Sequence, residues 1–395
     1  MFKNTSNEKL LLDNNTGRRI DIDYLRAFVV LLVVYHHSII AYATFAYMNP
    51  VNPIATFSPV VNEKRLELFD LFIAYNDVYF MQLMFFISGL FVWSSLNKKG
   101  IKKYLIDRIR RLAIPFIVCL PIIIPLAYYP AVLEVQNMYG GDTGYMEFWS
   151  LMIRHGFGTA GPLWFLWVLL VFDFIAALLY YLVPNVDRMI KRASKMFERP
   201  FTFFIVLSGI TTLAYVPVLL IFDSQQWIGI GPCTFQASRA LMYFVYFITG
   251  VAIGIYGLDK SLLSKDGLLA KRIWIWTTIG PLCFTCFILA AIKEDFNPYL
   301  KGFIFVITCA SIIMCTIAVF VKYAHKRFRI LDSLNSNAYG IYIVHYTFMT
   351  WLQYGLLRSE LNPFFKGTFV FIGTVILSWV TIAAIRMIPN VKKVI

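Results

Sequence analysis

The sequence predicts an all-α polytopic membrane protein that crosses a bilayer about ten times, N-in and C-in. Three observations carry this reading. The 395 residues are 59% hydrophobic and only 15% charged, whereas soluble domains carry about a quarter charged residues. The apolar residues fall in blocks near the ~20 residues that a helix needs to span the hydrocarbon core. Lysines and arginines gather in alternate loops, as retention of positive charge on the cytoplasmic side requires.

The expected spans are 20–42, 71–93, 112–130, 162–183, 201–222, 238–256, 273–292, 302–321, 336–356 and 368–388. Without water, backbone groups must bond within their own segment or within a closed barrel. These blocks lack the period-two alternation of barrel strands, so they are read as helices. Residues 1–19 form a polar N-terminal tail, 20–388 one membrane domain and 389–395 a C-terminal tail. No soluble domain or internal repeat is expected. No cleavable signal peptide is expected either, because the first apolar block is too long for a signal-peptide core.

Assigning each Lys and Arg to the nearer face places 28 on one side and 8 on the other, the full 36 of the chain. The richer side is read as cytoplasmic, and the net charge of +14 then reflects topology rather than nucleic-acid binding. Its densest loop holds Lys98, Lys99, Lys102, Lys103, Arg108, Arg110 and Arg111. The six cysteines lie mostly inside apolar blocks, and Cys283-x-x-Cys286 has no second ligand pair. They are read as helix-packing residues, and no metal site is expected. Asn4 and Asn14 begin N-x-S/T triplets, but the tail that carries them is expected in the cytoplasm.

Ionisable residues within spans are costly and mark function or pairing. The first span reads Asp23-Tyr24-Leu25-Arg26, an apolar run, then His36-His37-Ser38. Eleven residues of helix bring His37 to within about 20° of the Arg26 direction and roughly 16 Å deeper, while His36 points about 80° away. This geometry selects His37 as the chemical residue and leaves His36 to packing or a structural hydrogen bond. A histidine bonded to a neighbouring helix explains His37 as well. Arg108 and Arg111 lie three apart, on similar sides of a helix. Paired guanidinium forks hold phosphates well; the same residues also serve as a topology anchor. Asp77, Asp173 and His345 are further polar residues within spans, and Trp164 follows a Gly161-Pro162 turn. Asp173 and His345 are read with packing and functional roles both open.

Together these features resemble the family-three membrane acyltransferases, especially the branch that modifies glucans and other surface glycans. The matching stretches are Asp21-Ile22-Asp23-Tyr24-Leu25-Arg26 with His37, Phe85-Phe86-Ile87-Ser88-Gly89, Arg108-x-x-Arg111 with Pro115, Leu163-Trp164-Phe165-Leu166, and Tyr339-Gly340-Ile341-Tyr342-Ile343-Val344-His345. One departure is Gln82, where many members carry an acid. The resemblance implies a multi-pass enzyme of the bacterial inner membrane. It would take an acetyl or succinyl-type group from cytoplasmic acyl-coenzyme A and transfer it to a carbohydrate hydroxyl. It implies His37 as catalytic histidine with Arg26 as its partner, and Arg108 and Arg111 as donor-binding residues. Asp23, Ser88, Trp164, Asp173 and His345 are supporting or acceptor-side candidates. Acyl-coenzyme A is a substrate, and no bound cofactor is expected. The chemistry suits histidine, either as base for the acceptor hydroxyl or as acyl carrier.

The competing reading is a polytopic transporter or exporter of a glycan or small solute. Transporters tend to show repeated halves and paired interrupted helices, and no such repeat is visible.

The charge pattern makes a direct prediction. In a cysteine-free background, a single cysteine at position 99 should resist a membrane-impermeant maleimide in intact cells. Labelling there would overturn the orientation.

Overall fold

The computed structural model describes residues 19–389 except 55, 184 and 193, together with 391 and 394. The expected tails, with Asn4 and Asn14, lie almost wholly outside the described residues. The helices are α1 (Ile20–Ile40), α2 (Glu67–Gly89), α3 (Val92–Lys99), α4 (Ile101–Arg108), α5 (Ile114–Tyr139), α6 (Tyr145–Arg154), α7 (Trp164–Leu182), α8 (Val186–Arg192), α9 (Ser194–Glu198), α10 (Pro200–Leu219), α11 (Ala240–Tyr256), α12 (Leu268–Lys271), α13 (Ile273–Ala291), α14 (Pro298–Tyr323), α15 (Arg329–Gly355) and α16 (Pro363–Ile385). An antiparallel hairpin, β1 (Trp227–Ile230) and β2 (Cys233–Gln236), folds over the loop between α10 and α11. No strand was expected between these two spans.

Among the described residues, nine stretches are long and apolar enough to cross a membrane. The remaining expected span corresponds to α15. Its 27 residues reach about 40 Å, but its composition is too polar for the same test. The reason is visible in the packing: Asn335, Asn337, His345, Thr350 and Gln353 are all buried against protein.

The first helix is the hub. It packs against α2, α14, α15 and α16, so both sides of α1 meet protein and its histidines lie inside the bundle. The pair α2 and α11 runs parallel and in close contact. A Cβ on Gly250 would stand 2.1 Å from the Phe86 carbonyl oxygen, and one on Gly89 would stand 2.2 Å from the Phe247 oxygen. Small residues are what permit such backbone approach between membrane helices.

Prolines in α5 create a second packing device. A helical proline removes one backbone donor and frees the carbonyl four residues earlier. Pro125 frees the Pro121 carbonyl, which accepts from Trp149 Nε1 at 2.9 Å. Pro130 frees the Leu126 carbonyl, which accepts from Trp351 Nε1 at 2.9 Å. Pro115 frees the Arg111 carbonyl, and the Tyr339 hydroxyl of α15 donates to it. The distorted helix is thereby fastened to α6 and α15.

The glycine contact is testable. Gly250→Ala drives a methyl group into backbone that has no side chain to move, and overpacking costs about 1–3 kcal/mol. The variant should lose several degrees of thermal midpoint in detergent. Gly209→Ala meets nothing within 4 Å and should be at least as stable as the parent. Equal midpoints for the two variants would refute the contact.

Candidate active site

His37 sits in the last turn of α1. It lies three residues before the end of α1 at Ile40 and eleven residues on from Arg26 along the same helix. Its Nδ1–H donates to the Val33 carbonyl at 2.8 Å. In the neutral ring, that bond leaves the Nε2 lone pair free. Gln353 of α15 clamps the same turn, donating to the carbonyls of His37 and Ser38 at 3.1 Å each.

The second predicted histidine joins it. The His345 ring centroid lies 5.3 Å from that of His37, and His345 Nδ1–H donates to the Tyr342 carbonyl at 2.6 Å. His345 Nε2 is buried without a hydrogen-bond partner. Tyr346 meets His37 edge-on at 5.6 Å. Tyr342 donates its hydroxyl to the Pro162 carbonyl, which ties α15 to the turn that launches α7.

A cavity of about 150 Å³ opens beside these rings, walled by His36, His37, Asp77, Trp164, Tyr243 and Tyr342. Phe57, Gln225, Trp227 and Gln236 from two loops roof it. Those loops lie at the end of the bundle opposite the basic loop of residues 97–111. Trp164 is part of the wall, with Tyr243 at 5.6 Å and Trp227 at 5.5 Å.

Other predicted site residues go elsewhere. Arg26 reaches Asp23 and Asn335, both at 3.2 Å. Its side chain is 46% exposed, at the opposite end of α1 from His37, so the geometry does not bring these two together. Asp173 turns away from the histidines. It accepts from the Tyr104 hydroxyl at 2.5 Å and pairs with Arg108 Nε at 3.4 Å. The Arg108 guanidinium lies 4.9 Å over the Tyr104 ring. Between Arg108 and Arg111 runs a π-helical turn, Ile109–Ala113. Its wider winding rotates Arg111 off the side that an α-helix would give it, and Arg111 is exposed. π-turns are frequent at functional sites. Ser88 bonds the Met84 carbonyl at 2.9 Å within its own helix.

One element of the site, the pairing of Asp77 with Arg239, has no signature in the sequence. Arg239 Nη2 pairs with Asp77 at 2.6 Å, Nη1 donates to the Asp77 carbonyl at 3.1 Å, and the guanidinium lies 5.0 Å over Phe305. Each residue was visible as a charge near a span end. Their pairing joins positions 162 apart in sequence, and no local pattern announces it.

The arrangement offers a part-buried imidazole with a free lone pair, an aromatic-walled chamber and a basic opposite end. The peptidoglycan O-acetyltransferase OatA of Listeria monocytogenes is 22% identical over 294 residues, which cover 69% of this chain and 44% of that protein. The chain thus spans less than half the length of that relative. No solved structure matches. Residues 19–383 match the family described as an acyltransferase domain, and the chain belongs to acyltransferase family 3, as a multi-pass membrane enzyme.

Proposed function

We propose that this enzyme moves an acyl group, acetyl or succinyl in type, from cytoplasmic acyl-coenzyme A to a carbohydrate hydroxyl presented at the opposite face of the bacterial inner membrane. The observation that carries this reading is the free Nε2 of His37. Its ring is oriented by the Val33 carbonyl and borders a cavity roofed by loops at the end away from the basic face. That nitrogen either takes the hydroxyl proton or attacks the thioester carbon. Both routes need an imidazole with one bare nitrogen, and the Nδ1 hydrogen bond to Val33 leaves Nε2 in that state in the neutral ring. A membrane enzyme that modifies a surface glycan needs its donor and acceptor to meet from opposite sides. The two ends of this bundle differ accordingly.

At the basic end, Arg111 offers an exposed guanidinium beside the π-turn, and Arg26 stands at the mouth of α1. Guanidinium forks suit the phosphates of coenzyme A. Arg108 has two duties in this reading, since it also compensates Asp173. Trp164 and Tyr243 give the acceptor chamber aromatic faces of the kind that cover sugar rings.

His37→Gln should insert and fold normally yet transfer at least about 100-fold less, the lower range for loss of a general base. The assay is the release of ester-bound acyl groups from surface carbohydrates, compared in cells with equal amounts of folded enzyme. Activity near the parent level would refute the assignment.

Arg111→Ala should weaken acyl-coenzyme A binding with no loss of thermal midpoint. Arg108→Ala should lower both, because it strips Asp173 of its cation; breaking a buried pair costs about 3–5 kcal/mol. Isothermal titration with acetyl- and succinyl-coenzyme A, alongside melting curves, separates the two. Unchanged affinity in both variants would return these arginines to a structural role.

A further inference from the structure

His36 is unused in the reaction just described, and helix packing does not account for its surroundings. It is buried at 8% exposure and stacks on Phe80 at 5.0 Å. Its Nδ1 nevertheless has no hydrogen-bond partner. A buried polar atom left unmade costs about 1–3 kcal/mol, a cost that a phenylalanine at this position would avoid.

Its location supplies a reason. A second cavity of about 630 Å³ also borders His36, lined in part by Asp70, Tyr215, Asp223, Arg239 and Lys301. This volume falls within the ~300–1,000 Å³ typical of ligand pockets. His36, Phe57, Asp77 and Gln225 border both cavities, so His36 stands where they meet. His37 borders the smaller one. The two rings are 5.4 Å apart. Asp77 and Arg239 lie within coulombic reach of His36, and their mutual ion pair fixes the carboxylate beside it.

We propose that His36 is the base for the acceptor hydroxyl, that the larger cavity is the vestibule through which the hydroxyl-bearing acceptor reaches it, and that His37 is thereby left to carry the acyl group. The inference rests on the acyltransfer reading above. In the first step His37 Nε2 forms a bond to the acyl carbon, the carbon–sulfur bond breaks, and coenzyme A leaves as thiolate. His37 is then an acylimidazolium, its Nδ1–H still on Val33. In the second step the acceptor oxygen bonds to the acyl carbon and the carbon–nitrogen bond breaks. The electron pair returns to His37, and the hydroxyl proton passes to the imidazole of His36, which borders both cavities. His36 then releases that proton to water in the vestibule. Asp77 acts as a positioning residue that stabilises the transient imidazolium.

The experiment separates the two half-reactions. Membrane vesicles carrying the full chain receive acetyl- or succinyl-coenzyme A, and free coenzyme A is followed in the first turnover. In parallel, ester-bound acyl groups are measured on surface carbohydrates of cells expressing each variant. The parent should show a burst of one coenzyme A per enzyme and acylated glycan. His37→Gln should show neither. His36→Gln should keep the burst and lose about 100-fold or more of the glycan ester. Full glycan acylation by His36→Gln would overturn the inference and leave the acyltransfer reading standing, as would loss of the burst together with the ester in folded protein. A parent that acylates glycan without a burst would also overturn it. A parent inactive in both assays would instead sink the acyltransfer reading. Should His36→Gln fold poorly, His36→Gly with added imidazole gives a second test. Recovery of glycan ester is expected for a missing base, and folded protein that imidazole fails to rescue counts against the proposal.

Discussion

A bilayer core has no water to satisfy a stray backbone or side-chain group, so each must find its partner inside the protein. This constraint organises the whole bundle. α5 holds four prolines, and the carbonyls freed by three of them, Pro115, Pro125 and Pro130, are closed by Tyr339, Trp149 and Trp351. Buried charges obey the same rule: Asp77 holds Arg239, and Asp173 holds Arg108 with help from Tyr104. Several buried polar atoms nonetheless lack a hydrogen-bond partner, and two of them, His36 Nδ1 and His345 Nε2, belong to rings beside His37.

The two ion pairs divide labour by position. Asp173–Arg108 lies toward the basic end, beside the π-turn and its exposed arginine. Asp77–Arg239 lies where two cavities meet, within reach of the histidines. The first helix links them, with Arg26 at one end and His37 in its last turn, about 16 Å apart along the axis. In the proposed reaction the thioester must travel this distance beside α1. The arginine and histidine that form a single pattern in sequence therefore belong to opposite ends of that path.

Much of the fold was legible because membrane spans are written in composition. Nine spans announced themselves by apolar length, and α15 was found despite its polarity because apolar positions still separate its Asn, His and Gln residues. His37 and His345 were legible as polar residues out of place. What escaped were relations between distant segments and departures from ideal helix. Asp77 and Arg239 each looked like a charge near a span end. Asp173 was open to either packing or function, and its partner Tyr104, 69 positions away, decides the matter. The face shared by Arg108 and Arg111 was computed for an α-helix, and the π-turn at Ile109–Ala113 changes that phase.

The recurrent motifs acquire physical roles when their partners are traced. Pro115 matters to Tyr339 through the Arg111 carbonyl, and Pro162 matters to Tyr342 through its own carbonyl. Two motifs far apart in the chain are thus halves of one joint. The Phe85-Phe86-Ile87-Ser88-Gly89 stretch works similarly. Along the parallel pair α2 and α11, three contacts follow one another: Asp77 on Arg239, Phe85 stacked on Tyr243 at 5.0 Å, and Gly89 against Gly250. Tyr243 lies seven residues before Gly250, two turns up the same face of α11, and it forms part of the cavity wall beside Trp164. The glycine contact sets how closely the helices approach, the aromatic stack sets the wall, and the ion pair sets the charge at the cavity junction. Ser88, the most reactive residue type in that stretch, spends its hydroxyl on the Met84 carbonyl. The motif therefore builds the chamber, and the chemistry falls to histidines carried by α1.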